Sequence, residues 1–165
     1  MQYREHCATN LIAGTLLMAA LGSYDISTST RFIFAGSFIV ATFLLSPDLD
    51  IFHSSPNKNW GKMRLVWWPY TKIFSHRGMS HTPILGTWTR ILYVFFLILI
   101  GFLIYDMTQH GSYEKIPSMT QQRLEETRAF AEKHQTVFLS GLAGITASDL
   151  IHLLIDKISS FVKKI

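Results

Sequence analysis

Charge is what this sequence has least of. Asp, Glu, Lys and Arg make up 16% of its 165 residues, against roughly 25% in an ordinary soluble domain. So little polar surface cannot solvate a free-standing globule, and part of the exterior is expected to face lipid. Cysteine is almost missing. Cys7 stands alone, which excludes an intramolecular disulfide and fits a reducing compartment. The net charge of +4 is too small for the Lys/Arg stripe that grips several phosphates of a duplex, so nucleic acid is not an expected partner. An anionic membrane surface suits that charge better. No repeat, Walker-type phosphate loop or Ser-His-Asp arrangement is legible. The first ten residues run into a helix-like stretch with no small-residue cleavage site, so no signal peptide is expected.

What the chain does have is apolar length. Hydrophobic residues reach 48%, gathered into segments at about 8–21, 32–45, 83–105 and 136–155. The first stops at Gly22-Ser23 and the second at Ser46-Pro47, where proline disfavours helical geometry in the residue before it. The third approaches the ~20 apolar residues that span a hydrocarbon core, whereas the first two are short and would also serve as buried helices. The expected fold is all-α: one domain over 1–165, a multi-helix membrane bundle of about four membrane segments. The loop between segments two and three carries Lys58, Lys62, Arg64, Lys72, Arg77 and Arg90 against Asp48 and Asp50. Lys163-Lys164 falls on the same side, and the positive-inside rule then puts both termini and this loop in the cytoplasm, at the cell (inner) membrane. Trp60, Trp67, Trp68 and Tyr70 read as interfacial anchors, although core aromatics would look the same. Residues 119–133 read as a polar, solvated extension of the fourth helix.

Three clusters carry chemistry. Asp48 and Asp50 flank Leu49 just after Pro47, and in an extended or turn conformation they project from one face. A solvated pair at a helix-ending turn is the plainer alternative. His76-Arg77-Gly78-Met79-Ser80-His81 places two imidazoles five apart around a flexible glycine, with a guanidinium able to hold an anionic oxygen. The alternative is a pair of interfacial histidines capping the third helix. His152 and Asp156 are four apart on one helical face, and ionisable groups in apolar segments are costly and usually functional. A hydrogen bond tightening the bundle would use the same pair. Asp149 is placed to orient His152, and His6 precedes the first helix by about two residues. In the four-segment arrangement His6, Asp48, Asp50, His76, His81, His152 and Asp156 all fall at one membrane face. Four histidines and three carboxylates exceed the needs of one tetrahedral ion, so two or more divalent metals are expected at this face, with 47–82 as the cytoplasmic metal loop.

At these residues the chain resembles the YdjM-like membrane-bound metal-dependent hydrolases, and more closely a sister family of metal-binding membrane proteins. The resemblance rests on His6, Pro47-Asp48-Leu49-Asp50, His76 to His81, the His152/Asp156 pair, and Gly86-Thr87 with Arg90 and Tyr93. YdjM-like chains often carry a histidine where Ile51 stands here, which leaves one ligand missing or replaced by His53. A remoter similarity, to zinc-dependent phospholipase C, implies hydrolysis of a phosphoester on a lipid or other membrane-proximal substrate. It implies zinc first, with manganese or iron as alternatives. Asp48 or Asp50 would then bridge metals or act as general base, and Arg77 would steady phosphoryl oxygens. The rival expectation is a non-catalytic metal-binding membrane protein, a sensor or structural module. A transporter fits less well, because transport sites usually lie near the midplane.

Overall fold

The structure, a computed structural model, describes residues 3–74, 82, 84–110 and 116–162, with backbone alone for 109–110 and 116–123. Among the described residues there is helix and turn and no strand. Three helices pack together as the body of the protein: α1 (Tyr3–Leu21), α2 (Thr28–Phe43) and α7 (Gln135–Val162). Small residues let them approach closely. A Cβ added at Gly144 of α7 would lie 2.1 Å from Ser37 Oγ and 2.4 Å from the Phe34 carbonyl oxygen of α2. Gly14 of α1 makes the same allowance for the Phe38 ring, which a Cβ would meet at 2.5 Å.

The turn between α1 and α2 is closed by Ser27, whose hydroxyl accepts from the Thr30 amide at 3.2 Å as an N-cap. Arg31 donates back to the Ile26 and Tyr24 carbonyls. Beyond α2, where a loop was expected at 47–82, the described residues 47–74 are largely helical. They build a cap of short helices: a 3-10 turn at Pro47–Asp50, α3 (Ser55–Asn59), a second 3-10 stretch at Gly61–Trp67, and α4 (Trp68–Ile73). Pro47, Pro56 and Pro69 each sit in a first turn, where a missing N–H costs nothing. The last carbonyls of a helix have no partner within it, and the cap supplies donors for two of them. Asn59 Nδ2 donates to Phe43 O and Trp60 Nε1 to Leu44 O, both at 2.9 Å.

Leu49, Trp67 and Tyr70 form the core of the cap, with Trp60, Phe74 and Tyr93 packed around them. Trp67 and Tyr70 are therefore core residues and not interfacial anchors. Of the four aromatics in that expectation, Trp68 alone is largely exposed. Helix α5 (Leu85–His110) comes next, then α6 (Ile116–Lys133), which a single turn residue, His134, separates from α7. Only α5 and α7, among the described residues, are long and apolar enough to cross a membrane, where four such segments were expected. No part of the most apolar stretch of α5 is buried inside the protein. Helix α2 is apolar but shorter, at 16 residues.

Candidate metal centre

Three separate parts of the chain meet at one end of the α1–α2–α7 body. His6 lies in α1, within the helix and not ahead of it as expected. Asp48 stands in the 3-10 turn after α2, and His152 and Asp156 are one turn apart on α7. His6 Nε2 is 3.0 Å from Asp156 Oδ1. His152 Nε2 is 3.5 Å from Asp156 Oδ2 and 3.6 Å from Asp48 Oδ2. The two imidazole rings lie 4.8 Å apart at 30°. Ligand atoms of His6, His152 and Asp156 all fall within 4.8 Å of one another.

A buried hydrogen-bonded knot fixes the faces that carry these groups. Asn10 Nδ2 donates to Thr42 Oγ1 at 3.0 Å and to Ser148 Oγ at 3.1 Å, and the two hydroxyls share a third bond at 3.0 Å. Asn10 is one turn beyond His6, and Ser148 one turn before His152, so each shares a helical face with its ligand. Thr42 closes the knot shortly before the chain turns into Asp48. None of these three residues stands out in the sequence by itself. A signal is nonetheless present: a polar residue four away from each histidine, inside an apolar helix.

The surroundings keep the donors in the state that a cation needs. Burial pushes the His6 imidazole below its ordinary 6.5, the charge of His152 adds to this, and Asp156 and Asp48 oppose it. Burial also raises the neighbouring Cys7 thiol and pushes the Tyr3 phenol up to about 12. At neutral pH these groups are a neutral imidazole, a thiol and a phenol.

The remaining expected residues lie elsewhere. Asp50 is buried in the same 3-10 turn as Asp48, but residues two apart in a 3-10 helix are about 120° apart around its axis. The expected common face is lost. Asp48 bears on His6, whereas Asp50 bears on Tyr70. His53 does not replace a ligand; it is exposed, edge-on to Phe52. Asp149 does not orient His152 by a hydrogen bond, since its Oδ2 accepts from Thr87 and Arg90 of α5. His76, Arg77 and His81 lie outside the described residues.

The donor set fits a divalent cation. His152 Nε2 is buried without a hydrogen-bond partner, as is His6 Nδ1. Yet His152 Nε2 faces two carboxylate oxygens at distances too long for a good N–H···O bond. With zinc–nitrogen and zinc–oxygen bonds near 2.0–2.1 Å, tetrahedral ligand atoms stand about 3.3 Å apart. The contacts at 3.0, 3.5 and 3.6 Å bracket that spacing. As ligands of a bound cation, two carboxylates and two imidazoles would balance the charge of one divalent ion.

A protein from Aquifex aeolicus (strain VF5), described as an uncharacterized protein, is 27% identical over 146 residues, covering 81% of this chain and 94% of its own. No solved structure matches the chain. A family-level match supports the metal-binding side of the expected resemblance and not its YdjM-like or phospholipase side. It runs over residues 2–165, and the chain belongs to the family described as uncharacterized metal-binding protein (DUF2227).

Proposed function

We propose that this protein holds a divalent cation between His6, Asp48, His152 and Asp156, and that the ion fastens α1, α7 and the turn after α2 into one unit at a membrane face. The observation that carries this reading is the buried, bondless Nε2 of His152 standing between two carboxylate oxygens. Two nitrogens and two oxygens make a four-coordinate set, which suits zinc, with manganese and iron as alternatives. A second ion would draw on Asp50, His76 and His81. Helices α5 and α7 cross the bilayer in this reading, α1 and α2 are inserted beside them, and both termini lie in the cytoplasm. Elemental analysis of the detergent-purified chain tests the site. At least one ion per chain is expected, and it is lost in His152→Ala and in Asp156→Ala. An unchanged metal content in both variants would reject the ligand set.

A second reading, phosphoester hydrolysis at a membrane-proximal substrate, draws on the openness of one side of the cluster. The Asp48 and Asp156 side chains are 30% and 40% exposed, against 9% for His152. Structural zinc sites are closed, whereas catalytic ones keep a position open. A bound divalent ion would supply positive charge against a phosphoryl oxygen. In this second reading His6, His152 and Asp156 would hold the ion, and Asp48, on the open side, would instead accept the proton of an attacking water. Phosphodiester turnover in zinc or manganese, lost in Asp48→Ala while the fold survives, is the expected result. Absence of turnover in the fully metallated protein leaves the cation-holding function alone.

A further inference from the structure

A buried ion pair lies beside the cluster without belonging to it. Arg90 of α5 is 1% exposed and Asp149 of α7 is 2% exposed. The Nη2 group of Arg90 and the hydroxyl of Thr87 both donate to Asp149 Oδ2. Charges buried this deeply between apolar helices are costly, and they persist where the arrangement they enforce is needed.

What this pair enforces can be read from its neighbours. Asp149 sits one turn before His152 on α7. The same two turns of α5 that carry Thr87 and Arg90 also hold the cap. Thr89 Oγ1 shares a hydrogen bond of 3.0 Å with the Tyr70 phenol, and Tyr93 donates to the Val66 carbonyl. Tyr93 also packs on Trp67 and Tyr70, at ring separations of 5.4 and 5.2 Å. Tyr70 and Trp67 in turn enclose Leu49, the residue between Asp48 and Asp50. A path therefore runs from His152 along α7 to Asp149, across to Arg90, along α5 to Thr89, and through Tyr70 and Leu49 to Asp48. Its two ends are the side chains that face each other at 3.6 Å.

We propose that Arg90, acting through Asp149, is a positioning residue that sets the separation between the Asp48-bearing cap and the His152-bearing helix. The hydrogen bond and ion pair that Arg90 makes among the described residues go to Asp149, which is not one of the four ligands. This inference rests on the cation reading for its metal arm, and it has a second arm that needs no metal. Cys7 is buried next to His6 on α1, one turn beyond Tyr3, whose hydroxyl accepts from Asn59 Nδ2 of the cap at 2.9 Å. As the one thiol in the chain, it reports opening of the site through its rate of maleimide labelling.

Three variants decide the matter in the detergent-purified full chain: Arg90→Gln, Arg90→Lys, and Arg90→Met combined with Asp149→Leu. Arg90→Gln is expected to speed Cys7 labelling of the metal-free protein and to weaken cobalt binding on the order of 10–100-fold, the usual cost of losing an outer support of a metal site. Arg90→Lys keeps the charge and recovers part of both. The Met/Leu pair replaces the ions with apolar bulk and restores the melting temperature. Apolar contact fixes no register, so this variant still labels quickly and still shows a shifted cobalt absorption spectrum. Parental labelling and cobalt affinity in the Met/Leu variant would overturn the proposal, because Arg90 would then be supplying stability alone. Should Arg90→Gln fail to fold, the Met/Leu variant still gives the answer. A parent chain that binds no cobalt rejects the cation reading, and the Cys7 rates then judge Arg90 by themselves.

Discussion

Replacing Gly144 by alanine is the sharpest single perturbation of this fold. The added methyl would stand 2.1 Å from Ser37 Oγ, 2.4 Å from Phe34 O and 3.1 Å from Phe38 N. The serine can rotate away, giving up its bond to the Phe34 carbonyl. The Phe34 carbonyl cannot, because it belongs to the backbone of α2. Relief therefore requires α2 and α7 to part by about 1 Å, and overpacking of this kind costs about 1–3 kcal/mol. For a chain of this length that is a fall in melting temperature on the order of 2–12 °C.

The displacement also reaches the ligands. His152 lies just over two turns beyond Gly144 on a helix that moves as a rod, while Asp48 moves with the end of α2. Metal sites tolerate errors of about 0.2 Å in ligand distance, so affinity is expected to fall along with stability. Gly141→Ala is the internal control. Its nearest neighbour is Ile33 Cγ2 at 4.0 Å, and replacing a helical glycine there should leave stability unchanged or raise it by up to about 1 kcal/mol. Thermal unfolding in detergent and metal content of the two variants make the comparison. If Gly144→Ala melts with the parent, the close α2–α7 contact is wrong. Rescue of Gly144→Ala by Ser37→Ala would place the clash on the side chain and refute the backbone argument.

Other outcomes rest on the same geometry. Because His6 binds a proton less readily in the folded chain than in the unfolded one, stability of the metal-free protein should fall as pH drops through 6.5 and level off below the folded value. Denaturant midpoints between pH 5 and 8 should lose part of that slope in His6→Gln; an identical slope would refute the assignment. Asn10→Leu removes two buried hydrogen bonds but leaves Thr42 and Ser148 bonded to each other, a loss of about 1–3 kcal/mol. An unaltered unfolding midpoint in that variant would mean the knot holds nothing. Zinc at 100 times its dissociation constant should stabilise the parent by about 2.7 kcal/mol and leave the melting temperature of His152→Ala unmoved.

Helical class is legible in the sequence because long apolar runs bounded by Gly22-Ser23 and Ser46-Pro47 leave few other choices. The His152/Asp156 pairing is equally legible, since spacing by four on a helix fixes the outcome. Asp48 and Asp50 are not, because Pro47 marks the end of α2 without dictating the backbone conformation beyond it. A 3-10 turn separates the carboxylates that an extended strand would have aligned. Trp67 and Tyr70 mislead for a different reason. An aromatic at a membrane interface and an aromatic in a small core have the same composition around them, and only the contacts with Leu49 separate the two. Asn10, Thr42 and Ser148 are invisible one at a time, because a single polar residue in an apolar helix has many uses. Their meaning lies in converging across 138 positions of chain between Asn10 and Ser148.

The two ends of the helical body argue against explaining the cluster by helix packing without a cation. At the far end, α1, α2 and α7 enclose an apolar groove lined by Leu21, Ile26, Phe34, Leu139 and Ala143, with Ser140, Thr30 and Arg31 as its polar members. Packing of these helices evidently needs no carboxylate and no imidazole. At the near end the same three helices and the cap bury or half-bury His6, Asn10, Thr42, Asp48, Ser148, Asp149 and His152. Polar groups in such surroundings each cost free energy unless something satisfies them. A fold that packs one end around a mainly apolar groove could pack the other the same way and be more stable for it. That it does not implies a use for the near end which aliphatic packing cannot serve, and the unsatisfied nitrogen of His152 points to a cation as that use.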